Sequence, residues 1–146
     1  MTMQKYGEIL DDWNTQKEKT VPISGTADIL FLESKRLKKQ KRDREALTLI
    51  NVALENDETN FEYHLQKAKI LEAMGRFSES ERAYDDAIGL NDSDDIYEAK
   101  AVMLYRWANS LNDKKRALEL IDEALLIMPE SSQNEYLERF LYLKGS

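Results

Sequence analysis

Three groups of residues have types that could do chemistry. His64 is the one histidine among 146 residues. It has no second histidine and no cysteine beside which to hold a metal ion, so the usual zinc ligand sets are not available. A lone histidine on a helical face reads as a half-buried packing residue. Asn91-Asp92-Ser93-Asp94-Asp95 is rich in carboxylates and superficially calcium-like. It lacks the glycine at the sixth loop position and the glutamate at the twelfth that a calcium loop needs. It reads as a turn whose aspartates cap the helix that follows. Lys35, Arg36, Lys38, Lys39, Lys41, Arg42 and Arg44 form a basic run. Cations near a helix C-terminus are favourable on their own account, and they also offer a contact for an anion or an acidic peptide. General acid–base catalysis needs perturbed groups gathered in a cleft. No glycine-rich phosphate loop, nucleophile–base pair or metal cluster stands out. The sequence therefore predicts a protein that is not an enzyme and needs no cofactor.

The elements that carry these residues recur. Between Phe61 and Asp94 two helical patterns are joined at Gly75-Arg76. The first carries His64, Ala68 and Leu71, and the second Ser80, Tyr84 and Ala87. Steps of three and four place each trio on one helical face. Small residues at Ala68, Ser80 and Ala87 let two antiparallel helices come close. Gly75 suits the left-handed conformation that ends a helix. Ser78 with Glu81, Thr59 with Glu62 and Ser132 with Glu135 are expected capping boxes, and Asp43 an expected cap. Leu30, Ser34 and Leu37 match the first trio 34 residues upstream, and Ala46, Ile50 and Ala53 match the second at the same interval. Tyr97, Ala101 and Leu104 follow the first trio by 33 residues, and Ala117, Ile121 and Ala124 follow the second by 37. The third unit thus holds four extra residues, about one helical turn. Such an insertion lengthens a helix while nearly keeping its buried face in phase.

At this point the chain resembles the tetratricopeptide repeat (TPR) family, with its 34-residue period and paired helices. The resemblance covers about residues 27–129. Ala46-x3-Ile50-x2-Ala53, Ser80-x3-Tyr84-x2-Ala87 and Ala117-x3-Ile121-x2-Ala124 carry it. Ala68 and Ala101, and less ideally Ser34, stand in the small-residue slot, Tyr97 in the first aromatic slot, and Pro129 closes the third unit. Glu33, Lys67 and Lys100 replace the leucine before the small residue, and Glu58 and Asp92 replace the closing proline. The resemblance implies an all-α fold, a right-handed superhelical solenoid of antiparallel helix pairs with about eight helices. The whole chain, 1–146, is read as one domain. A helix over 3–18 precedes repeats at 27–60, 61–93 and 94–130, and a last helix over 131–144 is a cap or the first half of a fourth repeat.

Composition sets the outer bounds. A hydrophobic fraction of 42% with 34% charged residues, five glycines and two prolines favours a helical protein with one core. No apolar run approaches the ~20 residues that span a bilayer. The N-terminus lacks a signal-peptide pattern. The absence of cysteine fits a cytoplasmic protein. A net charge of −7 argues against a general nucleic-acid binder. In the helix over 3–18, Tyr6, Ile9, Leu10 and Trp13 share one face, as if to cover the exposed end of the first repeat. Tyr105 and Trp107, two apart, cannot share a face, so one of them should reach solvent or the groove.

The function that the resemblance implies is a protein–protein interaction module or scaffold. Its first helices line a concave face that takes a peptide segment. The positions that face inward in the family are Phe31, Lys35, Lys38, Leu65, Gln66, Lys69, Glu98, Val102 and Tyr105. Their charges suggest a partner that is acidic near the first repeat. Family members that clamp a chaperone's C-terminal carboxylate use lysine, asparagine and arginine. The corresponding positions here are Phe31, Lys35, Gln66, Asp95 and Ala99, so that class of ligand is not expected. The alternative reading is self-association into a homo-oligomer through the terminal helices, at Trp13 and at Phe140 with Leu141.

Overall fold

The computed structural model describes residues 24–145. The side chains of residues 24, 133–137, 140 and 143 lie outside that description, as does the helix expected over 3–18. Among the described residues seven helices follow one another: α1 (Ser24–Lys39), α2 (Asp43–Asn56), α3 (Phe61–Ala73), α4 (Phe77–Leu90), α5 (Asp94–Ser110), α6 (Lys114–Ile127) and α7 (Glu130–Gly145). Among the described residues there is no strand. Each helix packs mainly on its neighbours in the chain; α1 also touches α3, and α5 touches α7. The result is a stack of antiparallel hairpins, α1–α2, α3–α4 and α5–α6, with α7 on the last. No described helix is long and apolar enough to cross a membrane.

Repeated small residues fix the hairpins. Ser34, Ala46, Ala68, Ser80 and Ala101 are fully buried where paired helices cross, and Ala117 is nearly so. Ser34 Oγ donates to the Ala46 carbonyl at 2.9 Å, and Ser80 Oγ donates to the Ala68 carbonyl at 2.7 Å. Leu30, Leu37, Leu49, Ile50 and Ala53 build one core with Tyr63 and Ile70 of the next unit. Leu71, Tyr84, Ala87, Ile96, Met103, Leu104, Leu120 and Ile121 build a second. Burial of this kind is the dominant favourable contribution to folding. The four extra residues of the third unit lie in α5, whose 17 residues exceed the 13 of α3.

The caps differ from expectation at four places. The helix expected to start at Ser78 starts at Phe77 behind Arg76, which makes no side-chain cap. Instead Arg76 binds Glu79 through Nε at 2.9 Å and a terminal nitrogen at 2.7 Å. Arg42 repeats this 34 residues earlier: it precedes α2, and Asp43 becomes the first helical residue. Arg42 binds Glu45, with 2.6 Å in the shorter contact. An arginine that neutralises the glutamate three residues on takes the place of a hydroxyl cap. At α3 the cap is Asn60, one residue after Thr59, accepting from the Glu62 amide at 3.0 Å. Thr59 instead donates to Asp57, and these bonds hold the Asp57 carboxyl below its usual range. Ser132 lies inside α7, whose first residue is Glu130, and its hydroxyl goes to Glu98; the Glu135 side chain lies outside the description. Ser93 caps α5 through the Asp95 amide, with Asp94 and Asp95 in its first turn.

Candidate peptide-binding groove

The first helices of the three hairpins share one side of the stack. A groove of about 610 Å³ runs between α1, α3, α5 and the start of α4. Lys38, Lys69, Glu98 and Val102 line it, four of the nine residues expected there. Spacing accounts for the alignment. Lys35, Lys69 and Val102 occupy one slot of successive repeats, and Phe31, Leu65 and Glu98 another. Lys69 is exposed and Lys38 half-buried. Among the described residues neither side chain makes an ion pair or hydrogen bond.

The other five expected residues do not line this groove. Gln66 is only 6% exposed and points its amide at Ser34 Oγ, 3.5 Å away. A polar side chain in that slot is retained because Ser34 offers it a partner. Phe31 packs on Tyr63, ring centroids 5.1 Å apart, and Lys35 lies over the Phe31 ring at 5.2 Å. Leu65 and Tyr105 are half-buried against the second core. Trp107 stacks on Phe77 at 6.0 Å, with the Arg116 guanidinium 5.3 Å from its ring.

Sequence reasoning missed the floor of the groove. Phe77, Ala73 and Ala99 supply apolar surface there, and Tyr84, Glu72 and Arg106 a polar chain. The buried Tyr84 hydroxyl donates to Glu72 Oε1 at 2.9 Å, and Arg106 binds the other Glu72 oxygen. Burial first, then the neighbouring Glu72 charge, holds the Tyr84 phenol protonated well above its ordinary range. Glu72 occupies the slot of Lys38 one repeat later, so the 34-residue interval was the available signal. Asp95 and Glu98 stand on the α5 side, and Glu98 accepts a 2.7 Å bond from Ser132 at the start of α7. The groove is therefore cationic toward α1 and α3, apolar in the middle and anionic toward α5.

His64 is half-buried away from this groove. Its Nε2 lies 2.7 Å from the Glu58 carbonyl, and its Nδ1 is 4.0 Å from Asp86. It borders a second depression of about 850 Å³ with Lys67, Asp85 and Leu90. Among the described residues no group of histidines and carboxylates is arranged to hold a metal ion.

No protein-family model matches the chain, and no curated protein matches it significantly in sequence. Solved structures do match it in fold. One is the Yersinia enterocolitica type III secretion chaperone SycD in complex with a peptide of the translocator YopD. It matches with a TM-score of 0.58 and 12% identity over 83% of this chain and 91% of that one. Another is the N-terminal domain of stress-induced protein-1 (STI-1) from C. elegans, with a TM-score of 0.59 and 19% identity over 86% and 99% of the two chains. These likenesses establish a TPR-like helical solenoid.

Proposed function

We propose that the chain is a protein-interaction module that holds a peptide segment in the groove of α1, α3 and α5. The observation that carries this reading is a cleft in which two lysines without partners among the described residues, Lys38 and Lys69, adjoin an apolar floor of Phe77, Ala99 and Val102. A segment with a carboxylate next to an apolar side chain satisfies both. The similar fold of SycD, solved with a translocator peptide, supports a peptide as the ligand class. Panning displayed random peptides against the whole protein tests the reading. Enriched sequences should pair acidic with apolar residues and should lose binding to a Lys38→Glu/Lys69→Glu variant. Enrichment unaffected by that variant places the ligand elsewhere.

A second reading, assembly through the end of the stack, draws on Leu126 and Tyr142, which are 85% and 80% exposed at the α6–α7 end. Of the residues expected in that role, Leu141 is 48% exposed, and Phe140 and Trp13 fall outside the described side chains. Sedimentation over a range of concentrations separates the two readings. A mass that stays constant argues against assembly.

A further inference from the structure

The opposite end of the stack exposes large apolar side chains. On α1, Ile29 and Leu32 are 62% and 63% exposed. Arg36, bonded to Glu33 of its own helix, continues their stripe toward Lys39. The stripe lies opposite the buried line Ala27, Leu30, Ser34 and Leu37.

The internal repeat says what such a stripe is for. One interval on, its positions are Tyr63, Gln66 and Ile70, and all three are buried. Tyr63 and Ile70 pack with Leu47, Leu49 and Leu54 of the preceding helix α2. One interval further, Ile96 and Met103 are buried with Ala83, Tyr84 and Ala87 of the preceding helix α4. In the second and third units this face is covered by the helix that comes before it in the chain. In the first unit it has the right residues and no described cover.

We propose that residues 3–18 supply that cover, as a helix antiparallel to α1 with Tyr6, Leu10 and Trp13 against Ile29, Leu32 and Arg36. The register follows from the hairpin itself. The α2–α3 pair closes between residues 56 and 61, which sets Leu54 opposite Tyr63 and Leu47 opposite Ile70; Leu54, Tyr63 and Ile70 belong to one core and Leu47 packs against it. Closure between residues 18 and 24, across Pro22, sets Trp13 opposite Ile29, Leu10 opposite Leu32 and Tyr6 opposite Arg36. The steps agree: 29, 32 and 36 rise by three and four while 13, 10 and 6 fall by three and four. Tyr6 at Arg36 is a cation–aromatic match. The segment is not a further half-repeat. Asp12, Gln16 and Lys19 stand 34 residues before Ala46, Ile50 and Ala53, and none is an apolar or small crossing residue. It is a cap with a register of its own, and terminal units of a solenoid need one.

The chain has no cysteine, so introduced pairs report without interference. The full chain carrying Leu10→Cys and Leu32→Cys, oxidised in dilute solution, should form an internal disulfide that shifts gel mobility and is reversed by reductant. The pair Asp11→Cys with Leu32→Cys points the first thiol off the face and should not close, since a disulfide needs its Cβ atoms within about 4.5 Å. A separate readout uses Trp107→Phe, which leaves Trp13 as the one tryptophan. Its emission should be blue-shifted, and adding Leu32→Glu should shift it to the red without changing the helical circular dichroism. Equal closure of both cysteine pairs, closure only between chains, or solvent-like Trp13 emission indifferent to Leu32→Glu would each overturn the proposal. Closure between chains would assign the stripe to a second copy.

Discussion

Where the two helices of a hairpin cross, side-chain size decides how near the backbones come. Ser34 and Ala46 fill that crossing in the first repeat, Ala68 and Ser80 in the second, and Ala101 and Ala117 in the third. The two serines exchange donor and acceptor helices while keeping one bond in one place. Ala87 is fully buried one turn beyond Tyr84. Ala87→Leu should destabilise the protein by roughly 1–3 kcal/mol through overpacking, read as a lower urea midpoint with an unchanged slope. The turns hold a matched pair of tests. Gly75 has φ +74° and Lys41, one interval earlier, has φ 61°. In both turns the next amide reaches back to the helix: Arg42 N to Leu37 O and Arg76 N to Leu71 O, each at 2.9 Å. Left-handed backbone costs a side-chain-bearing residue about 1–2 kcal/mol. Part of what glycine gains there is offset by the freedom it adds to the unfolded chain. Lys41→Gly should therefore stabilise by about 0.5–1 kcal/mol, and Gly75→Ala should destabilise by about 1 kcal/mol. Thermal melts of the two variants moving in the same direction would contradict this.

At the scale of elements, the helices and their pairing were legible because each repeat states the pattern again. The caps were not. Hydroxyl capping boxes are short signals, and at α2 and α4 the position before the helix holds an arginine that pairs with the glutamate three residues on, Arg42 with Glu45 and Arg76 with Glu79, and caps no backbone amide. Four of the nine residues assigned to inward-facing slots line the cavity between α1, α3 and α5. Gln66 was lost because Ser34 gives it a buried partner, and Phe31, Leu65 and Tyr105 because aromatic and leucine side chains gain more from packing than from exposure. Contacts between units also use charge. Lys100 of α5 occupies the slot where the TPR pattern has a leucine. Its ammonium lies 2.7 Å from Asp85 and 3.9 Å from both Glu81 and Glu123. Partial burial, then the Glu123 charge, pushes the Glu81 carboxyl above its ordinary range, although Lys100 opposes the shift. A raised carboxyl is protonated more readily in the folded state. The stability it contributes is present below the unfolded value near 4.5 and is lost as pH rises through the folded one. Glu81→Gln should thus raise the melting temperature at pH 7, by an amount within the ~0–1 kcal/mol of exposed pairs, and leave it unchanged near pH 4. A gain that persists at pH 4 would assign the effect to packing.

At the scale of the whole molecule, a net charge of −7 coexists with a groove whose entrance is basic. Local potential and not total charge steers an approaching peptide. Lys35 engages the Phe31 ring, so the steering falls to Lys38 and Lys69. Arg106 adds less, because Glu72 already neutralises it and is itself fixed by Tyr84. Exposed ion pairs contribute ~0–1 kcal/mol each, so these lysines should set orientation and association rate more than affinity. The apolar seat of Phe77 and Val102 should set residence time, because most affinity differences within one interface lie in the dissociation rate. With a peptide enriched by panning, Lys38→Glu/Lys69→Glu should slow association and flatten its dependence on salt. Val102→Ala removes two methyl groups from a half-buried side chain, a loss of about 1 kcal/mol, and should speed dissociation roughly fivefold with association unchanged. Tyr105→Ala should act on stability and not on binding, since Tyr105 packs against the core. Stopped-flow association and dissociation rates at two salt concentrations measure all three. Dissociation that responds to Tyr105→Ala and not to Val102→Ala would move the seat to the other side of α5.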